Sequence, residues 1–182
     1  VGPAAWAPYN PARIDWPEHG QPRSLNLETA PHPLSLEEAQ RRELAARPPR
    51  KIELDECNEE GFLESARFQH LPYSGPGSED PTLQWVFELA DGTRVGLADL
   101  ETRNTLLALP REGDRIQVFS AEVALARKTL QRNHWVFNLD SQALLSAGSV
   151  VMACLDLDAR KALEISGPLK EMFERRFHPD LS

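Results

Sequence analysis

Apolar and polar residues alternate with a period of two through most of the second half of the chain. That is the pattern of strands with two unlike faces. Residues 82–89 read as one strand, and Asp91-Gly92 is a hairpin signal, because glycine accepts the positive φ of a tight turn. Residues 93–109 follow as a long strand, with room for a bulge, and 110–114 turn the chain. Over 115–126, Phe119, Ala121, Val123 and Leu125 share a face. In the next strand Gln131, Asn133, Trp135, Phe137 and Leu139 do so. After a turn at 140–142, Ala147, Ser149, Val151, Ala153 and Leu155 line one face of the last strand.

The period differs elsewhere. Residues 51–54 predict a short strand, 57–61 a loop and 62–71 a helix, stopped by Pro72 and Gly75. Pro168 opens an amphipathic helix with Leu169, Met172, Phe173, Arg176 and Phe177 on one side. Ser35 and Glu38 form a capping box for a short helix over 35–46, closed by Pro48-Pro49. The order is strand, helix, four or five antiparallel strands, terminal helix. One early helix cannot cover both faces of such a sheet. The simplest α+β packing wraps the sheet around that helix and leaves a face or an edge for a partner.

Nine of the 15 prolines fall in the first 50 residues, so the first 33 predict an extended arm. Trp6, Tyr9, Ile14 and Trp16 within it fit an arm packed on something, and a disordered linker is the other reading. The expected division is an arm with a short helix over 1–50, then one folded domain over 51–182.

The net charge of -8 comes entirely from residues 51–182, since the first 50 hold six basic and six acidic side chains. An acidic domain repels phosphate backbones, which argues against a nucleic-acid partner. No apolar run approaches a membrane span, and the first residues show neither the basic nor the apolar region of a secretory signal. Two cysteines, Cys57 and Cys154, are too few for a disulfide framework, which suggests a reducing cytoplasm. No zinc-ligand spacing, phosphate loop or nucleophile elbow occurs.

Three segments carry a resemblance. Leu109-Pro-Arg-Glu-Gly-Asp-Arg-Ile-Gln-Val118 resembles the entry to a central strand in hotdog-fold acyl-CoA thioesterases of the 4-hydroxybenzoyl-CoA thioesterase type. The segment 126–135 looks like their next strand, and 146–160 like their last strand and its Asp-Leu-x-x-Arg exit. Pro22-Arg-Ser-Leu25 is similar to the linker between halves of double-hotdog members, so the chain would be mainly a second half. The resemblance implies a sheet of about five to six strands around one central helix. It also implies an acyl-CoA or acyl-carrier substrate and a homodimer or hotdog partner domain. No cofactor is implied beyond the coenzyme A of the substrate.

In that family a carboxylate near the start of the central helix acts as nucleophile or as base for water, and N–H groups at the helix N-terminus polarise the thioester carbonyl. Alignment on Gly61 puts Asn58 where the loop acid is expected and Phe62 where many relatives carry His. Asn cannot serve as the base, though its amide can orient water or a carbonyl. Glu59, Glu60 and Glu64 remain. Glu64, about a turn inside the predicted helix, is the candidate for a helix-borne acid, although acids at a helix start also serve as solvated dipole partners. Gly61, Phe62 and Ser65 lie where the carbonyl-polarising N–H groups would be. His70, at the predicted helix end, fits a capping residue better than a catalyst, and His134 fits a sheet face. Arg111, Arg115, Arg127, Lys128 and Arg132 either meet the CoA nucleotide or are solvated surface charges. Three readings follow: a thioesterase, a catalytically degenerate module for binding or dimerisation, and, last, a hydratase, which needs a paired Asp and His.

Overall fold

The computed structural model describes residues 31–69 and 86–182. Its centre is an antiparallel sheet of four long strands: β4 (Arg94–Leu106), β5 (Arg115–Leu125), β6 (Thr129–Asn138) and β7 (Leu144–Asp156). Short strands extend it: β1 (Ala45–Ala46), β2 (Arg50–Lys51), β3 (Val86–Glu88) and β8 (Lys161–Ala162). The order is β1-β5-β6-β7-β4-β3, with β2 also on β5 and β8 on β7. The hairpin at Asp91-Gly92 forms as the sequence predicts. Gly92 has φ 85°, and the Thr93 N–H donates to Asp91 Oδ1 at 2.9 Å. The long strand after it carries the bulge, between Asp99 and Glu101.

Cross-strand partners sort the side chains. Trp135 and Phe137 of β6 share a face with Phe119, Ala121 and Ala147. That face is covered by helix α1 (Leu36–Arg41) through Leu34, Leu36, Ala39 and Leu44, and by Leu181. The even-numbered residues of β6 face the other way. At one end Val136 meets Ile116, Val118, Ile52, Leu63 and Phe68, the last from helix α2 (Ser65–Gln69). At the other end Leu130 and Met152 meet Leu169 and Phe173 of helix α3 (Gly167–Glu174). The sheet is thus covered on both sides from within the chain, by α1 and its flanking residues on one face and by α2 and α3 on the other, so no face is left for a partner as the order of elements allowed.

Four elements depart from the sequence reading. The helix expected over 62–71 begins only at Ser65, because Phe62 and Leu63 form bridges to Arg111 and Cys57, so Glu64 lies just before the helix and not a turn inside it. The helix expected over 35–46 ends at Arg41: Glu43 takes φ 52°, and Ala45–Ala46 pair with Ser120 and Phe119 instead. The strand expected at 51–54 begins earlier and gives way to a 3-10 turn at Leu54–Glu56. β1 and β2 are two pieces of one edge strand interrupted by Pro48-Pro49, and an edge is where a sheet tolerates proline. The terminal helix stops at Glu174. Arg176 and Phe177 leave its apolar stripe and run beside β5, where the Glu122 N–H donates to Arg176 O and the His178 N–H to Glu122 O. A backbone ladder partner outweighs one more helical turn there. The arm over 1–30, its aromatic residues, the 22–25 motif and His70 lie outside the described residues.

Between the two apolar ends of the even face runs a polar belt, exposed on β4 and buried on β5 and β6. Its rows set Thr102, Val150, Arg132 and Glu122 side by side, then Asn104, Gly148, His134 and Ser120. Arg132 donates to Glu122 Oε1 from Nη2 at 2.6 Å and from Nε at 3.1 Å, with both side chains buried. His134 is the sheet-face residue expected. Burial above all, then the charges of Arg132 and Arg47, push its pKa down to about 3. The ring is therefore neutral at physiological pH.

Candidate active site

The expected site residues fall within one short stretch, residues 57–65, between the 3-10 turn and α2. Its base is pinned on both sides. Arg50 Nη2 donates to Glu56 Oε1 at 2.7 Å, and the Glu53 N–H to Glu56 Oε2 at 3.1 Å. Burial raises the Glu56 pKa, but those two bonds and the Arg50 charge outweigh it and hold the carboxyl below its ordinary value.

Asn58 organises the loop. Its side-chain oxygen accepts from the N–H groups of Glu60 (3.1 Å) and Phe62 (3.0 Å). Its backbone N–H donates to Phe62 O at 2.8 Å, and its carbonyl accepts from the Gly61 N–H at 2.9 Å. Gly61 has φ 79°, the left-handed region where a side chain is strained. The N–H groups of Gly61 and Phe62 thus close the loop on Asn58. Beyond the loop α2 begins at Ser65, and N–H groups in the first turn of a helix have no acceptor within it.

Glu64 sits at the mouth of α2. Its N–H donates to Glu56 O at 3.1 Å and its carbonyl accepts from the Phe68 N–H at 2.9 Å, so it immediately precedes Ser65, the first helical residue. Its carboxylate is about half exposed and lies 3.4 Å from Arg67 Nε, one turn on. Ser65 is exposed. Phe62 is half-buried, with the Arg111 guanidinium 4.6 Å above its ring.

The segment 109–114 proves to be the other wall. The Leu63 N–H donates to Pro110 O at 2.9 Å, the Glu112 N–H to Gly61 O at 3.1 Å, and Phe62 bridges to Arg111. The sequence marks this Pro-Arg-Glu-Gly-Asp stretch as the entry to β5. Its contact with a loop some 50 residues earlier has no local signal. Cys57 is a second neighbour not foreseen. Its Sγ donates to Glu53 O at 3.5 Å, and burial, then the charges of Glu112, Glu56 and Asp55, push the thiol up. A thiol held protonated is a poor nucleophile.

The other basic candidates disperse. Arg115 pairs with Asp140 at 2.7 Å, Arg127 with Glu164 at 2.5 Å and Arg132 with Glu122. Of the group, Arg111 is the one that touches the loop. No cluster of His, Cys, Asp and Glu suited to a metal occurs among the described residues, and no described helix is long and apolar enough to cross a membrane. Cys57 and Cys154 are both free thiols.

No family model matches the chain, and no curated protein does. Solved structures do. The probable thioesterase YbaW from Escherichia coli is 14% identical with a TM-score of 0.54, over 71% of this chain and 96% of that one. A thioesterase from Thermus thermophilus, complexed with coenzyme A and zinc, is 16% identical with a TM-score of 0.57, over 72% of this chain and 94% of that one. The 12:0-ACP thioesterase from Umbellularia californica is 13% identical with a TM-score of 0.56; the match covers 74% of this chain and 51% of that one. At such identities the likeness establishes the fold: this chain has the hotdog fold that these thioesterases share.

Proposed function

We propose that the chain hydrolyses an acyl-CoA or acyl-carrier thioester at the N-terminus of α2, with Glu64 as the acid–base group. The observation that carries this reading is the position of Glu64. It is the carboxylate immediately before Ser65, at the end of a helix whose first-turn N–H groups favour a developing oxyanion. Glu64 would take a proton from the attacking water and return it to the leaving thiolate as the C–S bond breaks. Asn58 would shape the loop, and Gly61 and Phe62 would hold it closed, rather than touch the carbonyl. The acidic residues Glu53, Asp55, Glu59, Glu60 and Glu112 around the loop disfavour phosphates. The nucleotide of coenzyme A would therefore lie away from it, with the thioester end inward.

Thiol release from a panel of acyl-CoA substrates tests the proposal. Glu64→Gln should lower kcat by roughly a hundredfold or more, as expected for loss of an acid–base group, and an unchanged rate removes Glu64 from the mechanism. A second reading, a degenerate hotdog module that binds acyl-CoA or mediates dimerisation, is favoured by one observation: Asn58 stands where an acid is expected, with its amide oxygen already accepting two bonds. That reading expects acyl-CoA to raise the Tm without turnover. Under either reading, a homodimer or a hotdog partner domain would cover the β4 edge, which among the described residues has no strand partner beyond Gly96.

A further inference from the structure

The stretch that leads into α2 carries more carboxylates than one reaction needs. Glu59 and Glu60 are exposed, and among the described residues neither has an ion-pair partner. Glu64 differs. Its Oε2 lies 3.4 Å from Arg67 Nε, with both side chains about half exposed. The two residues are three apart across the start of α2, so they stand on one face. A helical side chain leans toward the N-terminus of its helix, which carries the Arg67 guanidinium back over the loop.

The Arg67 charge acts on the base of that loop. Burial raises the Glu56 pKa; the bonds from the Glu53 N–H and Arg50, then the charges of Arg50 and Arg67, outweigh it. At Cys57, burial and then the carboxylates of Glu112, Glu56 and Asp55 push the thiol up, and the Arg67 charge pulls the other way. The backbone brings Glu64 to the same place, since Cys57 is bridged to Leu63 and the Glu64 N–H donates to Glu56 O. Glu56, Cys57 and Glu64 therefore face one cation.

We propose that Arg67 is a positioning residue for Glu64: the ion pair holds the Glu64 carboxylate over the loop at the mouth of α2, where the attacking water would be deprotonated. This rests on the reading of Glu64 as the acid–base group. A lone, half-exposed glutamate turns through several rotamers, and the carboxylates around the loop repel it toward solvent. Arg67 opposes both effects. It also separates Glu64 from Glu59 and Glu60, which offer the same chemistry with nothing to fix it. An exposed pair contributes little to stability, so the effect of this one is read in rate rather than in Tm.

Thiol release by the full chain from the acyl-CoA panel tests the proposal. Arg67→Gln should lower kcat by roughly tenfold, as for a misplaced catalytic group, with KM and Tm nearly unchanged. Arg67→Lys keeps the charge and should recover most of the rate. In a Glu64→Gln background Arg67→Gln should cost nothing further, because it acts through Glu64. An Arg67→Gln variant as fast as the wild type, or losses that multiply in the double variant, overturns the proposal and leaves Glu64 in place. Turnover that Glu64→Gln leaves unchanged refutes the Glu64 reading and, with it, a role for Arg67. Absence of turnover with every substrate refutes hydrolysis, and iodoacetamide then decides the placement of Arg67. Cys154 is buried and its thiol is pushed up to about 12, so alkylation at mildly alkaline pH reads Cys57. Arg67→Gln should slow that alkylation roughly two- to threefold, since loss of the cation leaves less thiolate, and an unchanged rate overturns the placement.

Discussion

Acid should unfold this domain through His134. The ring is fully buried in the polar belt of the even face, and its pKa falls from the ordinary 6.5 to about 3. Burial dominates, and the neighbouring positive charges of Arg132 and Arg47 add to it. The unfolded chain therefore takes up a proton as pH falls through 6.5, while the folded chain does not until about 3. The stability associated with a neutral His134 is fully present above pH 6.5 and is lost progressively between 6.5 and 3. Each pH unit in that window costs about 1.4 kcal/mol. At pH 4.5 the loss relative to neutral pH is about 3 kcal/mol, and below pH 3 it approaches about 5 kcal/mol. The carboxyls of Asp91, Asp140, Asp180 and Glu56 are held below their ordinary values, so their contributions vanish mainly at lower pH. Asp99, raised by burial, acts in the opposite sense. Both effects are common to a wild-type and variant pair. Urea melts at pH 7.5 and 4.5 should show the wild type losing about 3 kcal/mol more than His134→Gln does. Equal losses in the two proteins, or a His134 ring that titrates near 6 by NMR, would refute the reasoning.

Other outcomes follow from the same structure. Arg132→Met strands the buried Glu122 carboxylate and should cost about 3–5 kcal/mol in urea melts, while Arg132→Met with Glu122→Leu recovers most of it. Gly148→Ala places a methyl over Asn104 Oδ1 and 3.0 Å from the His134 ring; Asn104 can swing toward solvent but the ring cannot, so a loss of about 1–3 kcal/mol is expected by thermal melting. Asn58→Ala removes the acceptor for two N–H groups and should cost about 1–2 kcal/mol, whereas Asn58→Asp keeps both bonds, leaves Tm nearly unchanged and, if the loop can deliver an acid, raises thiol release. Ser35→Ala should cost about 1 kcal/mol, since Ser35 Oγ caps α1 by accepting from the Glu38 N–H.

The sequence by itself determined the long strands, the hairpin and most of the strand faces. Those depend on neighbours one or two residues apart, and alternation or an Asp-Gly pair records them directly. The exception is Leu125, expected on the face of Phe119, Ala121 and Val123, which the bulge between Glu122 and Ala124 turns to the opposite face, beside Leu130. The sequence also placed Asn58, Gly61, Phe62, Glu64 and Ser65 in one short stretch, because they fall within eight consecutive positions, 58–65. Only the tertiary structure decided what these residues do. Asn58 closes the loop through bonds to Glu60 and Phe62 within the loop itself, whereas the Arg111 guanidinium over Phe62 and the Glu112 charge that adds to burial in pushing the Cys57 thiol up come from segment 109–114 folding back on 57–63. The end of α1 at Arg41 and the departure of Arg176 and Phe177 from α3 were likewise set by ladder positions on β5, which outweigh local helix propensity. The polar belt shows the same limit. Glu122 and His134 read as strand residues and Arg132 as a nucleotide contact or a solvated charge until β5 and β6 align in register, and burial then makes Glu122 and Arg132 an ion pair and His134 a neutral ring.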